Sequence, residues 1–263
     1  MRDVTTAPAM SPGAGAGLEG ASQGRLNAPV IQGAAMTEMP VTMMQTIAKR
    51  LVAAKNEAPH FYLKVSADVG ELLKWRQRIN EGQKDPQGVK VSVNDMISLA
   101  VSRALLAHPM VNASWQQDTM ILHHEVHLAL AVALPNGLVT PVIRNAHLLG
   151  VQAIAQQAQT LVAQAREGKL ANDAYAGGTF SISNLGMFGI EEFTAIINPP
   201  QSAILAVGAA QPTPWVNGKG EVTVSQRLKL TLSCDHRVVD GATGAQFLKT
   251  LVSYLEDPLQ ILV

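Results

Sequence analysis

The residues best suited to chemistry form one run near the C-terminus, Ser233-Cys234-Asp235-His236-Arg237-Val238-Val239-Asp240-Gly241. Leucines alternate with polar residues over 228–234, which predicts a strand that ends in this run, and apolar spacing over 242–255 predicts a helix after the glycine turn. A strand end fixes side chains while the loop leaves them accessible, so catalytic groups often sit there. An imidazole titrates near ~6.5 and can take a proton at neutral pH, which makes His236 a candidate general base. Asp240 lies four residues on, too near in sequence to be taken as the orienting acid of a serine-hydrolase triad. The competing reading is a polar turn with a satisfied histidine.

A second run, Gly177-Gly178-Thr179-Phe180-Ser181-Ile182-Ser183-Asn184-Leu185-Gly186-Met187-Phe188-Gly189, places hydroxyls in a predicted strand bounded by glycines. A hydroxyl aimed into a cleft can donate to a developing oxyanion; the competing reading is ordinary strand packing with turn glycines. Two other patterns are decoys. Gly20-Ala21-Ser22-Gln23-Gly24 matches a hydrolase nucleophile pattern without a strand before it or a helix after it. His123-His124-Glu125-Val126-His127 is one residue short of zinc-protease spacing and precedes a strand, so it reads as an exposed polar connection. With no glycine-rich phosphate loop and no paired-cysteine pattern, no metal is expected.

Those strand ends need a scaffold. Helical spacing covers 42–55 through Met43, Ile47 and Leu51, and 68–81 through Val69, Leu72, Leu73 and Ile79 with Asp68 as N-cap. It continues over 93–107 (Met96, Leu99, Ala100, Ala104), 150–168 (Ile154, Leu161, Val162, Ala165) and 242–255 (Phe247, Leu251, Tyr254). Strands are expected at 128–134 and 138–143 around Pro135-Asn136-Gly137, then at 178–184, 202–207 and 228–234. This alternation predicts an α/β domain with a mixed sheet. Residues 1–35 are mostly Ala, Gly, Pro, Ser and Thr and read as a flexible linker, leaving 36–263 as the folded domain.

With 47% hydrophobic residues the chain can bury a core, and 20 basic residues balance 20 acidic ones. That balance gives no net pull toward nucleic acid or an anionic membrane surface. Apolar runs fall far short of the roughly 20 residues that span a bilayer. The lone Cys234 excludes an internal disulfide. The start lacks an apolar signal core, so a bacterial cytoplasm is expected, with the mitochondrial matrix as alternative.

The two informative runs together resemble the catalytic domain of the dihydrolipoamide acyltransferases of 2-oxo acid dehydrogenase complexes, which carry an Asp-His-Arg-x-x-Asp-Gly signature near the C-terminus. The resemblance extends from about Met39 to Val263 and includes Ala58-Pro59-His60-Phe61-Tyr62-Leu63, Val93-Asn94-Asp95 and Pro109-Met110-Val111-Asn112-Ala113-Ser114. Asn136-Gly137-Leu138-Val139-Thr140-Pro141-Val142 and Ile197-Asn198-Pro199-Pro200 agree as well. The segment Ser183-Asn184-Leu185-Gly186-Met187-Phe188-Gly189-Ile190 is most similar to the acetyl-transferring branch from pyruvate dehydrogenase complexes.

The resemblance implies a two-layer, mixed-sheet domain of the chloramphenicol acetyltransferase-like type that forms homotrimers with the active site between subunits. It implies transfer of an acetyl group between a lipoyl-lysine arm and coenzyme A, with the lipoyl group supplied by another domain or chain. His236 would be the base, Ser183 the oxyanion donor, and Arg76 a contact for the coenzyme A phosphates. Asp240 would hold its loop through a buried ion pair with an arginine such as Arg50. Partners would be the lipoyl domain and the decarboxylase and dihydrolipoamide dehydrogenase components, around a hollow cage of trimers joined through the apolar end 259–263. Two departures bear on coenzyme A: Met44-Gln45 stands where many relatives have a basic pair, and Leu99 where many have a lysine. A scaffold core and a chloramphenicol-type acetyltransferase of small hydroxyl compounds are the competing functions.

Overall fold

The computed structural model describes residues 42–262 except 86, 87, 135 and 136. The expected linker over 1–35, the domain start at 36, the Ser22 pattern and Val263 lie outside the described residues. The chain begins with α1 (Thr42–Glu57), β1 (His60–Asp68), α2 (Gly70–Glu81) and α3 (Val93–Ala107). A small hairpin of β2 (Ala113–Gln116) and β3 (Thr119–Leu122) precedes β4 (Leu128–Leu130), β5 (Val132–Leu134), β6 (Gly137–Val139) and β7 (Val142–Ile143). Then come α4 (Val151–Arg166), β8 (Phe180–Asn184), β9 (Ala203–Val216), β10 (Val222–Asp235), α5 (Gly241–Glu256) and α6 (Leu259–Leu262).

Six strands form one sheet in the order β1-β10-β9-β8-β4-β7. The β4–β8 and β8–β9 pairs are parallel and the other three antiparallel, which makes the sheet mixed, as expected. Parallel neighbours need a crossover, and α4 lies in the connection from β4 to β8. Strand side chains alternate between faces, so Leu228, Leu230, Leu232 and Cys234 enter one core together with Phe180 and Ile182. Helices α2, α3 and α5 bring Leu72, Met96, Ile97, Phe247 and Leu251 to the same core, each fully buried. Burying each such side chain contributes about 1.5–3 kcal/mol, which is what holds the helical layer on the sheet.

Helix α3 begins with a capping box. Ser92 Oγ accepts from the Asp95 backbone N–H at 3.2 Å, and the Asp95 carboxylate accepts from Ser92 N–H at 2.7 Å. The expected start of α2 is corrected. Asp68 closes β1, and the helix starts at Gly70, whose N–H donates to the Asp68 carboxylate at 2.9 Å. The expected strand over 128–134 is also broken at Ala131, so only β4 joins the main sheet while β5 pairs with β6.

Strands β9 and β10 run 14 residues each, well beyond the expected 202–207 and 228–234. Pro212 and Pro214 obscure this extension in the sequence. Being two residues apart, they put both missing N–H groups on one edge, and β8 pairs with β9 no further than Val207, which leaves an edge to take them.

Candidate active site

Strand β10 delivers Asp235, a carboxylate only 3% exposed. Burying a charge costs several kcal/mol unless it is paired, and here Arg237 supplies a fork of Nε at 3.0 Å and Nη2 at 2.7 Å. The main chain is fixed by the same residue. Asp235 N–H donates to Ser202 O at 2.8 Å, and Asp235 O accepts from Val238 and Val239 N–H at 3.0 and 2.9 Å. The Arg237 guanidinium also lies 5.2 Å from the Trp115 ring centroid. Between these two clamped residues, His236 donates its backbone N–H to Pro59 O at 3.0 Å and rests its ring on Phe61, with centroids 4.6 Å apart. The imidazole is thus supported on one side and exposed on the other.

Asp240 is the N-cap of α5 and accepts from Thr243 N–H at 2.7 Å. Hydrogen bonding from Thr243 holds its carboxyl below the ordinary carboxylate value, with the nearby His236 a smaller influence in the same direction. The expected ion pair with Arg50 does not form within this chain: Asp240 and Arg50 are both exposed, and among the described residues no salt bridge joins Asp240 to an arginine. Capping directs the carboxylate at the free N–H groups of α5, and the pair that secures the loop is Asp235–Arg237.

Ser183 sits in β8 opposite Ala206 of β9. Ser181, two residues earlier and on the same face, is fully buried and donates to Gln201 Oε1 at 2.5 Å. Ser183 is half-buried and lines a cavity of about 650 Å³ with Asn94, Ala131, Ala158, Gln159 and Met187. The cavity adjoins the place where β4 leaves β8, after the last pair Leu130–Ile182. Past Ser183, Asn184 Nδ2 donates to Asn94 Oδ1 at 3.0 Å and Gly186 N–H donates to Asn184 Oδ1 at 2.8 Å. Gly186 passes so close to β9 that a Cβ there would lie 2.7 Å from Gly208 O. Met187 and Phe188 follow, 77% and 65% exposed.

His236 and Ser183 do not meet within one chain. Across the sheet, Ser183 is level with Ala206 and Thr231, and His236 comes five residues after Thr231 and two strands over. At about 3.4 Å per residue and about 4.8 Å per strand spacing, they are roughly 20 Å apart. No single atom can lie within hydrogen-bonding reach of both groups of one chain.

Arg76 lies on α2, facing a recess of about 390 Å³ lined also by Gln77, Asn80, Glu81 and Lys90. Its Nε is buried and has no hydrogen-bond partner among the described residues, which suits a phosphate acceptor arriving from outside. Leu99 is 1% exposed in the core of α3, so no ligand contact runs through it, while Gln45 is exposed on α1. In the histidine-rich segment, His123 bonds Ser114 Oγ at 2.7 Å and His127 Nδ1 accepts from Asn145 N–H at 3.0 Å. His123 thus ties to β2 and His127 to the turn after β7, so the segment is more than an exposed connection. Sequence reasoning missed the Asp235–Arg237 clamp and the Asn94–Asn184 bond. The first was visible as two opposite charges flanking His236; the second had no local signal, since its partners are 90 residues apart.

A family model described as 2-oxoacid dehydrogenases acyltransferase (catalytic domain) matches residues 33–263. The acetyltransferase component of the pyruvate dehydrogenase complex of Rickettsia felis is 44% identical over 217 residues, covering 82% of this chain and 52% of that protein. The mitochondrial counterpart of Schizosaccharomyces pombe is 44% identical over 229 residues, covering 86% and 47%. The chain therefore spans about half the length of these curated relatives. Among solved structures, the cubic core of a pyruvate dehydrogenase multienzyme complex superposes with TM-score 0.85 at 36% identity, covering 90% of this chain and 98% of that one. The Azotobacter vinelandii dihydrolipoamide acetyltransferase, studied for a serine, a histidine and an asparagine in its catalytic mechanism, gives 0.83 at 35% identity with the same coverage. A chloramphenicol acetyltransferase at 15% identity and TM-score 0.51, covering 79% and 94%, shares the fold.

Proposed function

We propose, from the premise that this chain belongs to the 2-oxoacid dehydrogenase acyltransferase family, that it transfers an acetyl group between a dihydrolipoyl arm and coenzyme A. The observation that carries the reading is the division of the site: an accessible imidazole on a clamped loop and a hydroxyl at a cavity, roughly 20 Å apart in one chain by strand register. That division supports a homotrimer in which His236 of one subunit faces Ser183 of the next. The exposed Met187 and Phe188 beyond Ser183 are apolar surface suited to such an interface.

His236 takes the proton of the attacking thiol, which at a pKa near ~8.5 is mostly unionised at neutral pH. The thiolate adds to the thioester carbonyl carbon, and the Ser183 hydroxyl donates to the oxygen as it becomes an anion. Collapse of the tetrahedral intermediate expels the other thiolate, which recovers the proton from the imidazolium. A donor so placed lowers the barrier by about 3 kcal/mol. Asp240 caps α5 and keeps the His236 loop joined to the helix. Arg76, with Lys90 beside it, receives the coenzyme A phosphates.

The lipoyl group comes from another domain or chain, and trimers build the core on which the decarboxylase and dihydrolipoamide dehydrogenase components dock. Acceptor choice tests the assignment: acetyl-coenzyme A should acetylate free dihydrolipoamide and leave chloramphenicol unmodified. Transfer to the hydroxyl acceptor alone would transfer the assignment to the small-molecule acetyltransferases.

A further inference from the structure

The strand end that carries Ser183 is tied to the helical layer by a pair of amides with no part in the proton and acyl transfers. We infer that Asn94, through Asn184, is a positioning residue for the Ser183 hydroxyl; the inference rests on the reading of Ser183 as oxyanion donor. A backbone N–H can only donate, so the bond from Gly186 N–H at 2.8 Å fixes which end of the Asn184 amide is oxygen. Its Nδ2 is then left to donate to Asn94 Oδ1 at 3.0 Å, and both amides are oriented without ambiguity.

Side chains alternate along β8, so Asn184 stands on the face of Phe180 and Ile182, where α3 lies, and Ser183 on the other; at this strand end Ser183, Asn184 and Asn94 all border the same cavity. Asn94 is the second residue of α3, inside the Ser92–Asp95 capping box that fixes the start of this helix. The need for such a tie follows from the sheet. On the β9 side Ser183 and Asn184 pair with Ala206 and Val207, but on the other side β4 stops pairing at Ile182. The last two residues of β8 therefore have a strand on one edge only, and the amide bond to α3 replaces the missing support. A reacting group displaced by about 1 Å can lose up to ~100-fold in rate, so even a small hinge motion here is costly.

The test is a double-mutant cycle of Asn94→Ala with Ser183→Ala, read as acetyl transfer from acetyl-coenzyme A to dihydrolipoamide with assembly followed by sedimentation. In the otherwise unchanged protein, Asn94→Ala should lower kcat about tenfold and leave both KM values within about twofold, the signature of an interaction used only in the transition state. With Ser183 already replaced, Asn94→Ala should have no further effect, because the residue acts through that hydroxyl. An unchanged kcat, or the same tenfold fall in both backgrounds, overturns the inference. Asn94→Asp keeps an oxygen for Asn184 Nδ2 and should stay within about threefold of the parent; a loss equal to that of Asn94→Ala also overturns it. A parent protein without turnover, or one indifferent to Ser183→Ala, refutes the underlying reading instead, and the two failures are distinct.

Discussion

If His236 and Ser183 act from different subunits, two inactive variants should restore each other. Ser183→Ala removes the oxyanion donor and should cost ~100- to 1,000-fold in kcat, and His236→Ala removes the base and should cost ~100- to 10,000-fold. The two variant chains are unfolded together in equal amounts and reassembled. Each interface then draws its histidine from one chain and its serine from the neighbour at random. An intact pair requires a parental histidine, with probability one half, and a parental serine, again one half, so about a quarter of the sites in a cyclic assembly should be complete. Turnover of the mixture at about 25% of the parent lies far above the roughly 1% left by either variant alone. Turnover no higher than the average of the two separate variants would refute the register argument, because it would mean that each chain completes its own site.

Replacing Arg237 by Met leaves Asp235 buried at 3% exposure without its cation, a type of change that costs about 3–5 kcal/mol. Because the Arg237 side chain is itself 34% exposed, the lower end is expected in urea unfolding, together with reduced turnover as the His236 loop loosens. Phe247→Ala opens a void beneath α5, where the ring meets Phe180 at 5.9 Å, and should destabilise by about 3–5 kcal/mol in thermal or urea unfolding. The remaining expectation concerns pH. Burial lowers the pKa of His108, His123 and His127 below the usual histidine value, so the unfolded chain binds these protons first as pH falls. Their contribution to stability is complete above about pH 6.5 and declines as pH drops toward the folded values. The urea midpoint should fall between pH 7.5 and 5.5, less steeply after His108→Gln, whose parent ring bonds Thr250 at 2.8 Å. A midpoint that rises over that interval contradicts the sign.

How much of this could be read from the chain depends on the range of the interaction. The leucine alternation of β10, the helix after Gly241 and the apolar face of α3 are local patterns, and each became the expected element. Strand β1 is equally local, with Phe61, Leu63, Val65 and Ala67 at every second position. The long β9–β10 extension was hidden because Pro212 and Pro214 look like strand breakers until a free edge is there to receive them. At the site, His236 stood out because the chemistry and the strand end coincide in sequence. The role of Asp240 is ambiguous in the sequence because capping a helix and pairing an arginine both require a carboxylate at a loop. Only the Thr243 N–H geometry separates them. The separation of His236 from Ser183 needed the register of three strands, which no local pattern contains.

The most direct test of the central claim is acetyl transfer from acetyl-coenzyme A to free dihydrolipoamide by the parent protein and by His236→Ala, with assembly verified in both. The imidazole is exposed and makes no side-chain hydrogen bond among the described residues, so its removal should leave fold and assembly intact. Turnover in the parent that falls at least ~100-fold in the variant is the predicted result. An assembled parent without turnover, or a variant that keeps the parental rate, would contradict the account.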